Sequence, residues 1–201
     1  MSERESREGQ PDPERRGQQP RINPRLWIGS LADYNNGRLT GDWVDAAVED
    51  EELLAEAKRI LATSETPGAE EWGIFDYDDF GDFKPEQFES LEVVARVARG
   101  IAEHGLPFAA WAQLHDADEH MLAAFEDSYL GEYDSVEHWA DDFLAETGAA
   151  AQIDLLASDH MGDLAQYVKL DVAAWAHDAW LSGDIYVMHN DDGRCWIFTT
   201  R

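Results

Sequence analysis

Arg25-Leu26-Trp27-Ile28-Gly29-Ser30-Leu31, then Tyr34-Asn35-Asn36-Gly37, then Asp42-Trp43-Val44-Asp45-Ala46 is the run that sets the fold class. Leu26, Ile28 and Leu31 with Trp27 read as a first strand. Asn36-Gly37 is the strongest short-range turn signal a chain carries, and residues 42–46 return as a second strand. Residues 50–62 read as a helix with Leu53, Leu54, Ala57, Ile60 and Leu61 on one side, broken by Thr66-Pro67-Gly68. Glu71-Trp72-Gly73-Ile74-Phe75-Asp76 is a third strand. Three strands with one helix make this segment α+β.

Downstream the period changes to that of helices. Over residues 85–104, Phe88, Leu91, Val94, Ala95, Ala98, Ile101 and Ala102 share one arc at 100° per residue, and Glu89, Glu92, Arg96, Arg99 and Glu103 share the other. Pro85 suits a first helical turn and Gly105 with Pro107 a stop. Helices are predicted over 108–114 and 118–129, and again from Ser135, whose hydroxyl is placed to cap. On that helix Val136, Trp139, Ala140, Phe143 and Leu144 form the apolar arc. Short helices over 153–160 and 172–181, the second capped by Asp171, precede a hairpin of 184–189 and 194–199 around Asn190-Asp191-Asp192-Gly193. The predicted class is therefore α+β, with an N-terminal three-stranded sheet plus helix, a central helical bundle, and C-terminal helices with a β-hairpin. The expected division is a disordered tail over 1–24, then domains over 25–83, 84–132 and 133–201.

Charge constrains function. The 201 residues hold 43 Asp plus Glu against 15 Lys plus Arg, a net charge of −28. Residues 1–25 carry six Arg and five acids, so residues 26–201 carry a net −29. A charge of magnitude about 2–8 already keeps a small domain soluble, and the excess works against the folded state through self-repulsion. Such a surface repels phosphates and anionic lipid, so neither direct nucleic-acid binding nor membrane binding is expected. No apolar run approaches ~18 residues and the N-terminus has no signal-peptide core. The single Cys195 fits a reducing cytoplasm.

Tests for chemistry fail one by one. Asp76-Tyr77-Asp78-Asp79-Phe80-Gly81 imitates a calcium loop, but an EF-hand needs an oxygen ligand at its fifth position and Glu at its twelfth, where this chain has Phe80 and Gln87. His115, His120, His138, His160, His177 and His189 form no zinc-binding spacing. Cys195 sits beside Trp196 and Phe198 and reads as packed, and Trp72, Trp139, Trp175 and Trp180 read as core. No phosphate-cradling loop or nucleophile elbow appears. Neither catalysis, metal nor cofactor is expected.

One physical idea uses the acidity itself. B-DNA carries one negative charge per about 1.7 Å of axis, and helical carboxylates at i, i+3 and i+4 stand about 4.5–6 Å apart along theirs. A protein whose groove grips DNA would accept such a surface. The sequence also carries a resemblance. Leu31-Ala32-Asp33-Tyr34-Asn35-Asn36-Gly37-Arg38-Leu39-Thr40-Gly41-Asp42-Trp43-Val44-Asp45 resembles the N-terminal part of ArdA-type antirestriction proteins. Pro67-Gly68-Ala69-Glu70-Glu71-Trp72-Gly73-Ile74-Phe75-Asp76-Tyr77 with Phe80-Gly81 is similar to their next block, Glu126-Asp127-Ser128-Tyr129-Leu130-Gly131-Glu132-Tyr133-Asp134-Ser135 to their central segment, and Leu181-Ser182-Gly183-Asp184-Ile185-Tyr186 to the start of their C-terminal hairpin.

The resemblance implies an elongated, curved homodimer of small domains that mimics DNA. It also implies a cytoplasmic, non-enzymatic inhibitor, typical of mobile elements, of the methyltransferase and specificity core of type I restriction–modification enzymes. The acid series is interrupted by His138 and diluted by Arg96 and Arg99 on the long helix. Mimicry is therefore expected at Asp76, Asp78, Asp79 and Asp82, at Glu126, Asp127, Glu132 and Asp134, and at Glu137, Asp141, Asp142 and Glu146. The competing readings are an acidic enzyme or metal-binding protein of a salt-adapted host, and a chaperone for basic proteins.

Overall fold

The computed structural model describes residues 22–200, so the tail expected over 1–24 falls, for residues 1–21, outside the described residues. The protein is mixed α+β and forms two compact units. Among the described residues, one holds residues 22–80 together with Pro85–Gly105, the other Gly81–Lys84 together with residues 106–200.

The first unit runs β1 (Arg25–Ser30), α1 (Leu31–Asn35), β2 (Gly41–Asp45), α2 (Asp50–Leu61), β3 (Trp72–Asp78) and α3 (Leu91–His104). The three strands that the sequence predicts form one sheet, which is antiparallel and ordered β2-β1-β3. Leu26 faces Val44 across the β1–β2 ladder, and both are buried with Ile28, Ile74 and the α2 residues Leu53, Ala57 and Ile60. The two strands approach so closely at Gly41 that a Cβ there would lie 2.6 Å from the Ile28 carbonyl oxygen, which leaves room for glycine alone.

Two expectations in this unit fail. Leu31, read with the first strand, instead opens α1, which Ser30 caps by accepting the Asp33 N–H. The helix predicted from Pro85 starts at Leu91, because residues 85–90 run beside β3 and the Gln87 carbonyl accepts the Ile74 N–H at 2.9 Å. β3 is an edge strand, and an unmet backbone donor at its buried Ile74 would be costly. As a result Phe88, expected on the buried arc, is 73% exposed; within α3 itself, Ala102 is exposed and Val97 joins Val94, Ala98 and Ile101 in the core.

Asp33 is the buried anchor of this unit. Its carboxylate accepts the Thr66 hydroxyl at 2.6 Å, the Ser64 hydroxyl at 2.9 Å, the Glu65 N–H at 3.0 Å and an Arg38 N–H at 3.2 Å. These bonds, the Thr66 hydroxyl foremost, hold its pKa well below the usual carboxylate range.

The second unit runs α4 (Leu106–Leu114), α5 (Glu119–Ala123), α6 (Phe125–Ser128), β4 (Tyr129–Tyr133), α7 (Val136–Glu146), α8 (Ala149–Met161), a 3-10 helix (Gly162–Tyr167), α9 (Val172–Leu181), β5 (Ile185–His189) and β6 (Cys195–Thr199). The predicted hairpin is there as β5–β6, but it is joined by β4 into a three-stranded sheet ordered β4-β6-β5. The single helix predicted over 118–129 is instead two short helices leading into β4. Gly131, at φ 131, disfavours helix, and β6 supplies a ladder more than sixty residues away in sequence.

β6 is the spine of the second unit, with Cys195, Trp196, Ile197 and Phe198 all buried. Trp111 stacks on Phe198 at 4.9 Å and donates its indole N–H to the Met121 carbonyl at 2.6 Å. Trp139, Ala140, Ala176, Ala179 and Ile185 pack with Cys195 and Ile197 as one cluster. Ser135 caps α7 by accepting the His138 N–H at 3.1 Å, and Asp171 caps α9 by accepting the Ala174 N–H at 3.0 Å, both as predicted. Phe143, placed on the buried arc by its spacing, is instead 41% exposed.

Replacing Asp33 by Asn is expected to lower the thermal midpoint by several degrees, whereas Asp76→Asn, at an exposed position, barely moves it. Because the folded carboxyl is more acidic than the unfolded one, its contribution is complete above about pH 5 and fades as pH falls below the unfolded value of about 3.9. Midpoints of wild type and Asp33→Asn measured from pH 7 downward should therefore differ constantly to about pH 5 and converge below it.

Candidate carboxylate surface

All twelve carboxylates expected to carry the function are exposed. Asp76 and Asp78 are two apart on β3, hence on one face of the strand, and Asp78 stands opposite Arg25 of β1. Asp79 follows at φ 61 and accepts the Asn23 N–H at 3.2 Å. Asp82 lies in the Gly81–Lys84 segment, which belongs to the second unit.

Glu126 and Asp127 are on α6. Glu132 and Asp134 are the pair that the structure partly neutralises: Arg194, just before β6, reaches Glu132 at 3.1 Å and Asp134 at 3.0 Å, and the Asn190 amide donates to Glu132 at 2.6 Å. Nothing in the local sequence pairs residues sixty apart, and only the β4–β6 ladder brings them together.

α7 holds a series on one continuous helix. Glu137, Asp141, Asp142 and Glu146 span nine residue steps, about 13.5 Å of axis at 1.5 Å per residue. Their mean step of about 4.5 Å compares with about 3.4 Å per phosphate along one DNA strand. Glu137 is held more acidic than usual by its own backbone N–H and by the Ser135 hydroxyl, so it is ionised in the first turn where the helix dipole favours a negative charge. His138 interrupts the series as expected, 3.8 Å from both Asp134 and Asp142.

The structure adds acids that the twelve omit. Glu49-Asp50-Glu51-Glu52 heads α2, with Asp50, Glu51 and Glu52 in its first turn. The signal for it is plain in the sequence, four consecutive acids opening an amphipathic helix. Glu70 and Glu71 precede β3. In the second unit, a cleft of about 550 Å³ is walled by Trp139, Phe143 and Trp175, with Trp175 stacked at 5.6 Å on each of the other two. Among the described residues no group of three or more His, Cys, Asp or Glu side chains is arranged to hold a metal ion. Among them, too, no helix is long and apolar enough to cross a membrane.

Each unit thus presents exposed acids on strands, helices and turns, suited to long-range attraction of a basic partner. Comparison with curated proteins finds no match. The family described as antirestriction protein (ArdA) matches residues 26–192, from the first residues of β1 through the β5–β6 turn. The chain belongs to the ArdA family of antirestriction proteins.

Proposed function

We propose that this protein blocks type I restriction–modification enzymes by standing in for B-form DNA, its carboxylates occupying the place of phosphates in the groove of the methyltransferase and specificity core. The observation that carries this reading is the disposition of charge. Of 38 carboxylates among the described residues Asp33 alone is buried, and nine basic residues oppose them. A partner that grips DNA with Lys and Arg gains from such a surface what it gains from phosphates, without any reaction taking place. The protein then acts by occupancy, in the cytoplasm, as the product of a mobile element, and needs no cofactor.

The reading includes a homodimer. Helix α8 buries only Ala157, while Leu155, Leu156, Leu164 and Tyr167 on α8 and the following 3-10 helix are each more than half exposed. A helix with so little buried surface is not stable alone, and a second copy of the same face is the cover proposed. Changing both Leu155 and Leu156 to Glu is expected to convert a dimer to a monomer in sedimentation, with a loss of helical circular dichroism confined to about the length of α8. A wild type that sediments as a monomer would remove this part of the reading.

Mimicry itself is tested by displacement of duplex DNA from a purified type I methyltransferase. Each single change among Glu137→Gln, Asp141→Asn, Asp142→Asn and Glu146→Gln is expected to weaken displacement no more than about fivefold, and the four together by about 10- to 100-fold. No displacement by wild type at low salt would reject the reading. Salt should also act with opposite signs on two measurements. Raising it from about 50 to 200 mM relieves self-repulsion and raises the thermal midpoint, yet weakens displacement.

A further inference from the structure

We infer that the first unit carries a cleft that receives an arginine side chain of the target, held between the aromatic rings of Tyr34, Trp72 and Phe88 and the carboxylates of Glu70 and Glu71. This rests on the DNA-mimic reading and specifies what that reading leaves open. Exposed acids imitate phosphates, but DNA-gripping proteins also push arginines into the groove to meet base edges. A surface of projecting carboxylates offers those arginines no recess.

The first unit has such a recess. A cleft of about 700 Å³ is lined by Tyr34, Trp72, Phe88, Glu70, Glu71 and Gln87. A second cleft, of about 450 Å³, shares Trp72 and Phe88 and is lined as well by Asp50, Glu51, Glu89 and Glu92. The two residues thus border two clefts that both carry carboxylates. Phe88 is 73% exposed and Tyr34 51%, and Phe88 is held out by backbone geometry, through the Ile74 N–H bond to the Gln87 carbonyl. Tyr34 is backed by Phe75 at 4.8 Å between ring centroids. Glu70 and Glu71 make no ion pair with a basic residue among the described residues, so their charge faces outward uncompensated.

The chemistry selects its occupant. A guanidinium is planar, stacks on aromatic faces, binds carboxylate in a two-pronged fork and is weakly hydrated, so it loses less on entering a recess than an ammonium does. Aromatic anchors in recesses are also where binding energy concentrates.

The test is the same displacement assay, with variants at Phe88, whose exposure leaves the fold independent of it. Phe88→Ser is expected to weaken displacement about tenfold with an unchanged dependence on salt, since the ring is neutral. The Glu70→Gln, Glu71→Gln double variant should weaken displacement and flatten that dependence, and Phe88→Tyr should retain full strength. If wild type displaces DNA and Phe88→Ser does so equally well, the cleft is overturned while mimicry stands. Full strength in Phe88→Leu would overturn the aromatic role in favour of plain apolar contact. Failure of wild type to displace DNA would overturn both readings together.

Discussion

Repulsion among 38 carboxylates, opposed by nine basic residues, is the condition that every other feature of the described chain has to meet. Two like charges about 10 Å apart repel by about 0.4 kcal/mol in water, and more where water is excluded. The interior is therefore left to aliphatic, aromatic and alanine side chains, and the acids go outward. The arginines sit at joints. Arg59 links α2 to Asp42 of β2, Arg99 links α3 to the Val48 carbonyl and to Glu49 at the head of α2, and Arg194 links the β5–β6 hairpin to β4. A planar, multi-donor group is well suited to this, because one side chain holds two or three acceptors in fixed geometry.

Asp33 is the exception that shows the rule. Its charge is tolerated inside because two hydroxyls, a backbone N–H and Arg38 surround it. The cluster pins α1 to the turn that follows α2, so a single ionised group organises the loops at one end of the first sheet.

Much of the fold was legible in the sequence because it rests on local pattern. Asn36-Gly37 and the alternation around it marked β1 and β2, and Ser135 and Asp171 marked two helix starts that the structure caps as expected. What escaped was decided at long range. β4 exists because β6 offers it a ladder, and residues 85–90 leave helical geometry to meet one N–H of β3. The exposure of the twelve carboxylates was legible in the sequence, but their charge balance was not. That Arg194 offsets Glu132 and Asp134 follows only from tertiary pairing, as does the gathering of Tyr34, Trp72 and Phe88 around one recess.

The flanking position of β2 and β3 in the first sheet carries a consequence for behaviour at high concentration. Open sheet borders are templates on which other chains add strands, and natural proteins guard them with charge. Here β2 presents Asp42 and Asp45, and β3 presents Asp76 and Asp78, all exposed. Arg59 offsets Asp42, and residues 85–90 already meet β3 at Ile74, so copies approaching border to border meet like charge chiefly at Asp45 and Asp76. These acids thereby oppose strand addition at the two borders.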